Sequence, residues 1–251
     1  MARWPVFILW TVMTATLAVV ISACSSGGGR PAPAQGPSQP QGVRAPEPAA
    51  PKTQTHYTAL ERRLAEAGLT EVAPGPGLRV ALIYATAENF TGRVIYTELA
   101  RCFLRPEAAA KLTAAAAALR ARHPELALEV VDCLRPRSVQ RILWAVHPNP
   151  AHVANPETGT SLHNHGCAVD LTLTAGDVAL DMGTGLDEFS AGARLTVTAE
   201  PELCRTGGLS AKACANRRLL RQIMTDAGFE PYSGEWWHFN GCDRDRYPVI
   251  E

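Results

Sequence analysis

Two short stretches hold the residue types that hydrolytic chemistry needs. "SLHNHGCAVDLTL" (Ser161 to Leu173) sets two histidines and an aspartate at the head of an apolar run. Burying an ionised carboxylate costs many kcal/mol unless something compensates it. A metal ion is one such compensation. Zinc accepts imidazole nitrogen and carboxylate oxygen in tetrahedral geometry, and a catalytic zinc takes three protein ligands and leaves one place for water. His163, Asp170 and His238 satisfy that count, His238 coming from the second stretch, "EWWH" (Glu235 to His238). His165 is an alternative ligand, since it would share a face with His163 if that stretch were extended. Glu235 stands three residues before His238, a place from which a base could take a proton from water at the metal.

Such a site makes demands on the backbone. His163 and Asp170 are seven residues apart, and on an unbroken strand an odd separation sends side chains to opposite faces. The chain must turn or bulge between them, and Gly166 permits it. Glu235 and His238 need a similar departure from regular geometry. Each fragment also has an ordinary reading. Asp170 could pair with an arginine, and "EWWH" could be an interfacial strand with two packing tryptophans. His56, His123, His147 and His152 fall at helix ends or in loops and are read as ordinary.

The elements that would position these residues can be read from local pattern. "HYTALERRLAEAGLTEV" reads as a helix with Gly68 as its stop, and "RPEAAAKLTAAAAALRARHPEL" as a second, with Pro106 in its first turn and Pro124 at its end. "RSVQRILWAVH" and "ACANRRLLRQIMTDAGF" read as further helices, the latter stopped at Gly228. "LRVALIYAT", "LALEVVDCLRP", "CAVDLTLT" and "GEWWHFN" read as strands. Strands and helices mix without a regular βαβ alternation, so the fold class is α+β.

The 251 residues carry no net charge, which removes any electrostatic case for nucleic acid as a partner. Residues 1–23 read as a secretion signal, and "ISAC" (Ile21 to Cys24) resembles the lipobox of bacterial lipoproteins, in which the cysteine carries the lipid. Residues 24–54 are rich in Pro, Gly and Ala and read as a tether, leaving 55–251 as one folded domain. The expected location is the bacterial cell envelope, membrane-anchored through lipid on Cys24 and facing the periplasm. Setting Cys24 aside from seven cysteines leaves six, and export predicts disulfides among them. The Gly-rich "CRTGGLSAKAC" would let Cys204 and Cys214 pair. Cys167 could be a buried thiol or half of a disulfide.

"SLHNHGCAVD" fits Ser-x-His-x-x-Gly-x-Ala-x-Asp and "EWWH" fits Glu-x-Trp-His. In the same order stand "YATAENFTG" (Tyr84 to Gly92), "DCLRP" (Asp132 to Pro136), "MGTGLDEF" (Met182 to Phe189) and "NRRLLRQIMTDAGF" (Asn216 to Phe229). Together these resemble the zinc D,D-peptidases of the D-alanyl-D-alanine dipeptidase (VanX) type. The resemblance implies a single D,D-peptidase domain, mainly antiparallel sheet flanked by helices, with one Zn2+ per chain. It implies His163, Asp170 and His238 as ligands, Glu235 as general base and Arg135 as the cation facing the developing oxyanion. The ordinary alternative for Arg135 is a salt bridge with Asp132. By the same resemblance Ser161 would help hold the substrate carboxylate and Asp187 would meet the free ammonium. The implied reaction is hydrolysis of D-Ala-D-Ala in wall turnover or recycling. Two alternatives are a D,D-carboxypeptidase that trims peptidoglycan stem peptides and a non-catalytic, zinc-containing wall-binding lipoprotein.

Overall fold

The computed structural model describes residues 56–194 and 199–251. The expected signal sequence and lipid attachment at Cys24, together with the tether, lie outside the described residues. Helix α1, Ala59–Glu66, starts at Thr58, whose side chain and that of Glu61 cap each other's backbone N–H. Gly68 follows at φ +79°, a left-handed turn open to glycine without strain, so the helix ends there as its sequence predicts. The rest of that stretch is not helical, because it forms strand β1, Thr70–Val72. Strand β2 covers only Leu78–Val80, and the chain then tightens into a 3-10 turn, Ile83–Ala85, so the predicted strand is shorter than its apolar run.

Strand β3 is Cys102–Leu104, and α2 is Pro106–Arg122 with Pro106 in its first turn. Strand β4, Leu126–Asp132, leads to α3, Arg137–Val146. A 3-10 turn over Leu162–His165 then precedes β5, Ala168–Ala175, and the two-residue β6, Val178–Ala179. Helices α4, Ala199–Thr206, and α5, Ala211–Asp226, are followed by β7, Glu230–Pro231, and β8, His238–Asn240. The predicted final strand therefore begins only at His238.

The main sheet has the order β2-β4-β5-β8-β7, with β6 paired to β5, while β1 and β3 form a separate antiparallel pair. Only β2 and β4 run parallel; the remaining pairings are antiparallel. Along β5, Val169, Leu171 and Leu173 are fully buried and share one face. Helices α2 and α5 pack on each other and on the sheet, supplying Leu112, Leu119, Leu220 and Ile223 to the same core. The opposite face of β5 carries Asp170, Thr172 and Thr174, also buried.

Strand register lines up the polar residues at one end of the sheet. Asp170 pairs directly with His238 on β8 and with Asp132 on β4, where an irregularity between Val130 and Asp132 shifts the pairing. Three polar side chains therefore lie abreast across three adjacent strands. Three disulfides close the domain: Cys102–Cys133, Cys167–Cys242 and Cys204–Cys214, the last being the pair that the Gly-rich stretch suggests.

Candidate metal centre and active site

The 3-10 turn at Leu162–His165 is what brings His163 to Asp170. Ser161 caps it, its hydroxyl accepting from the His163 N–H, and Gly166 ends it at φ +73°, turning the chain into β5. The break that the seven-residue spacing requires is thus a turn before the strand, not a bulge within it. His163 Nε2 lies 3.1 Å from His238 Nδ1 and 3.2 Å from Asp170 Oδ1, and His238 Nδ1 lies 3.0 Å from that same oxygen. The three residues form a buried group that could hold a metal ion.

The outer bonds of these rings decide which atoms face inwards. His163 Nδ1 is 2.6 Å from the Cys133 carbonyl, which can only accept, so Nδ1 carries the proton and Nε2 presents a lone pair. His238 Nε2 lies 2.9 Å from Asn240 Oδ1, which likewise leaves its Nδ1 as a lone pair. Burial alone would raise the Asp170 carboxyl, but His163 and His238 beside it hold it well below the usual carboxylate range. His165 is held elsewhere: its Nδ1 donates to the Tyr247 carbonyl at 2.8 Å and its Nε2 lies 3.0 Å from Thr160 Oγ1. It is no part of the group.

Arg135 sits next to these donors, buried, with Nε and Nη2 donating to Asp132 Oδ2 at 2.9 and 2.6 Å and Nη1 to Gln140 at 3.1 Å. The salt bridge to Asp132 is therefore present, and it does not remove Arg135 from the site. Nη2 is also 3.6 Å from Asp170 Oδ2, and the guanidinium stacks 5.2 Å from the Tyr84 ring. The other Asp132 oxygen accepts from Tyr96 at 2.6 Å.

Glu235 lies in a turn between β7 and β8, with Oε2 3.9 Å from His238 Nδ1. The two tryptophans that follow are buried and fix the turn, and Trp236 Nε1 donates to Thr184 Oγ1 at 2.8 Å. Burial pushes the Glu235 carboxyl up to about 7, against the pull of His238. Asp187 accepts from the Tyr84 hydroxyl at 2.9 Å, and burial with the nearby Asp170 charge pushes it up to about 6. It is the one non-glycine at positive φ among the described residues, +54°, so its loop is held in a conformation that side chains disfavour. Arg217 on α5 supplies the hold, donating to the Met182 carbonyl, the Gly192 carbonyl and Thr184 Oγ1 at 2.7, 2.8 and 3.0 Å.

Ser161, Arg135, His163, Asp170, Asp187, Glu235 and His238 all line one cavity of about 290 Å³. That volume is at the small end for ligand sites. Sequence reasoning missed part of its wall. His152, read as ordinary, lines it and stacks with His147 on Phe189, ring centroids 4.7 and 4.5 Å away. Phe189 stands at the end of the "MGTGLDEF" stretch, where only Asp187 was read, and nothing local marked His152.

A family model described as D-ala-D-ala dipeptidase, Peptidase_M15, matches residues 65–249. The chain is 36% identical over 178 residues to the D-alanyl-D-alanine dipeptidase of Escherichia coli (strain K12), covering 70% of this chain and 84% of that protein. It is 32% identical over 185 residues to that of Streptomyces coelicolor, covering 65% and 85% respectively. It is 28% identical over 191 residues to that of Enterococcus faecalis, covering 68% and 89%.

Cys167 and Cys242 tie β5 to the end of β8, the two strands that carry Asp170 and His238. Replacing both with alanine is expected to weaken metal binding about tenfold or more, the usual scale when a ligand's support is lost, as read by competition with a chromophoric chelator. Replacing Cys204 and Cys214 should lower Tm but leave metal affinity unchanged. Equal metal affinities in the two double variants would show that the Cys167–Cys242 clip does not serve the site.

Proposed function

The chain belongs to the Peptidase_M15 family of D-ala-D-ala dipeptidases, and from that membership and the cavity we propose that it is a metal-dependent dipeptidase that hydrolyses D-Ala-D-Ala. The observation that carries the metal is the triangle of donors. Tetrahedral ligands at Zn–N and Zn–O bonds of 2.0–2.2 Å stand roughly 3.3–3.5 Å apart. The donor separations here are 3.0–3.2 Å. Two imidazole nitrogens and a carboxylate oxygen suit Zn2+, which we take as the ion held by His163, Asp170 and His238.

Held by His163, Asp170 and His238, the ion would supply Lewis acidity to the reaction. The remaining chemistry belongs to this chain's residues. Glu235 Oε2 takes a proton from the attacking water and returns it to the leaving amine. Its burial keeps the carboxyl's proton affinity close to what both transfers need. Arg135, fixed by Asp132 and Gln140, meets the charge that develops on the scissile carbonyl oxygen, and its fixed position avoids reorganisation during the reaction. Asp187, oriented by Tyr84, receives the free ammonium, and Ser161 receives the carboxylate. Trp237, Phe189 and His152 supply aromatic wall to the same cavity.

For location, our reading is an anchored protein of the cell envelope, facing the periplasm, where dipeptide freed from the wall is available. The support is the apolar segment before Cys24 and the Pro/Gly-rich stretch after it. Cys24→Ala should abolish incorporation of labelled fatty acid and move the protein out of the membrane fraction. Retention in the membrane without label would refute the lipid anchor.

Glu235→Gln should lower kcat for D-Ala-D-Ala by about 10²–10⁴-fold, the range for a lost general base. Bound metal should be unchanged by elemental analysis. Normal turnover would remove Glu235 from the mechanism, and no turnover by wild type with added zinc would favour a wall-binding protein.

Asp187→Asn should raise KM for free D-Ala-D-Ala about tenfold, the value of one charge-assisted contact, and leave that for N-acetyl-D-Ala-D-Ala unchanged. The wild-type KM for the free dipeptide should also rise as pH falls through about 6, where Asp187 takes up its proton. Efficient wild-type cleavage of the acylated dipeptide would point instead to a carboxypeptidase acting on stem peptides.

A further inference from the structure

A free dipeptide carries an ammonium at one end and a carboxylate at the other. The cavity answers the first with Asp187. For the second it offers the Ser161 hydroxyl, which is neutral and already accepts a hydrogen bond from the His163 N–H. A carboxylate leaving water for a half-enclosed site calls for a cation.

Two guanidinium groups line the cavity, those of Arg135 and Arg244. Arg135 is engaged, since three of its N–H groups go to Asp132 and Gln140. Arg244 has as its nearest carboxylate Asp245, whose Oδ1 is 3.8 Å from Nε, and both side chains are exposed, at 49% and 89%. Exposed pairs of that kind contribute almost nothing. The ammonium of Lys111, in the hollow adjoining the cavity, donates to the Gly241 carbonyl at 2.7 Å. Arg244 is thus the side-chain cation of the cavity that no close anion neutralises.

Its place in the fold suits the task. Asp187 reaches the donor group from the side of Tyr84 and Arg135. Arg244 shares the cavity wall with Asn240, which bonds the outer edge of the His238 ring, Nε2, away from the inward-facing Nδ1. The two charges thus line the same cavity as the metal donors. The segment bearing Arg244 is also pinned on both sides. Cys242 is bridged to Cys167 just before it, and Tyr247 accepts from His165 just after it. Within it, the Asp243 side chain accepts from the Asp245 N–H at 3.0 Å and sets the turn.

We propose that Arg244 is a specificity-determining residue that pairs with the C-terminal carboxylate of the bound dipeptide, beside Ser161. This rests on the dipeptidase reading. It adds a named cation to the recognition of the carboxylate that the dipeptidase reading already requires.

The test compares D-Ala-D-Ala with its C-terminal amide on wild type, Arg244→Gln and Arg244→Lys, all loaded with zinc. Arg244→Gln should raise KM for D-Ala-D-Ala about tenfold or more, the scale of one charge-assisted contact, while kcat changes little. Arg244→Lys should recover part of that loss. For the amide, the glutamine variant should match wild type within about twofold, because the group that Arg244 recognises is absent. If the amide is not cleaved, its inhibition constant against D-Ala-D-Ala supplies the same comparison. Equal penalties on both compounds, or none on either, would overturn the proposal. Calorimetric binding of D-Ala-D-Ala to zinc-loaded Glu235→Gln, with and without Arg244→Gln, keeps the two readings apart. A loss of binding confined to the Arg244 variant supports the proposal even if wild type proves to have no dipeptidase activity. Unchanged binding overturns it even if that activity is confirmed.

Discussion

Three lone pairs that converge on one point are the constraint on which the rest of this structure depends. His163 Nε2, His238 Nδ1 and Asp170 Oδ1 face one another at 3.0–3.2 Å, and the protons of both rings are directed outwards, to Cys133 and Asn240. Like-charged lone pairs repel at that distance. A cation bound among them would offset that repulsion. The sheet register enforces the convergence, because Asp170 is paired directly with His238 across β5 and β8. A one-residue slip would send every side chain of β8 to the opposite face and dissolve the site.

The surrounding charges are arranged to leave each catalytic candidate in a defined state. Asp132 is fully buried and would be costly alone, but Arg135, Tyr96 and the Cys133 N–H satisfy it. In return it fixes the guanidinium that borders the cavity. Cys133 joins two functions, since its carbonyl orients His163 while its sulfur is bridged to Cys102 on β3. Arg217 plays a comparable part at a distance. It is buried, and its donors hold the loop in which Asp187 adopts positive φ. Strain at that residue is tolerated because the loop is tied to α5 and, through Thr184, to Trp236.

What the sequence revealed and what it hid have physical causes. The long helices were legible because Pro106, Gly68 and Gly228 are local signals that need no tertiary partner. Strands β4 and β5 were legible from their apolar runs. β1, β3, β6 and β7 were not, since two or three residues become a strand only when another segment pairs with them. The donor set was legible because His163, Asp170 and His238 are the right chemical types, and Gly166 marked the turn that joins the first two. His152 and Arg244 were invisible in the same way as the short strands: a loop histidine and a surface arginine reach a cavity wall only through what the fold sets beside them. The Asp132–Arg135 salt bridge, the ordinary reading, is present, and it leaves Arg135 on the cavity wall.

The most direct measurement is X-ray absorption at the metal edge on zinc-loaded protein, together with metal analysis. The account predicts one ion per chain, with two imidazole nitrogens and one carboxylate oxygen at about 2.0–2.2 Å and no sulfur. In His163→Ala the imidazole count should fall from two to one, while in His165→Ala it should stay at two. Sulfur scattering at about 2.3 Å, or an imidazole shell that loses a member in the His165 variant and keeps both in the His163 variant, would contradict it.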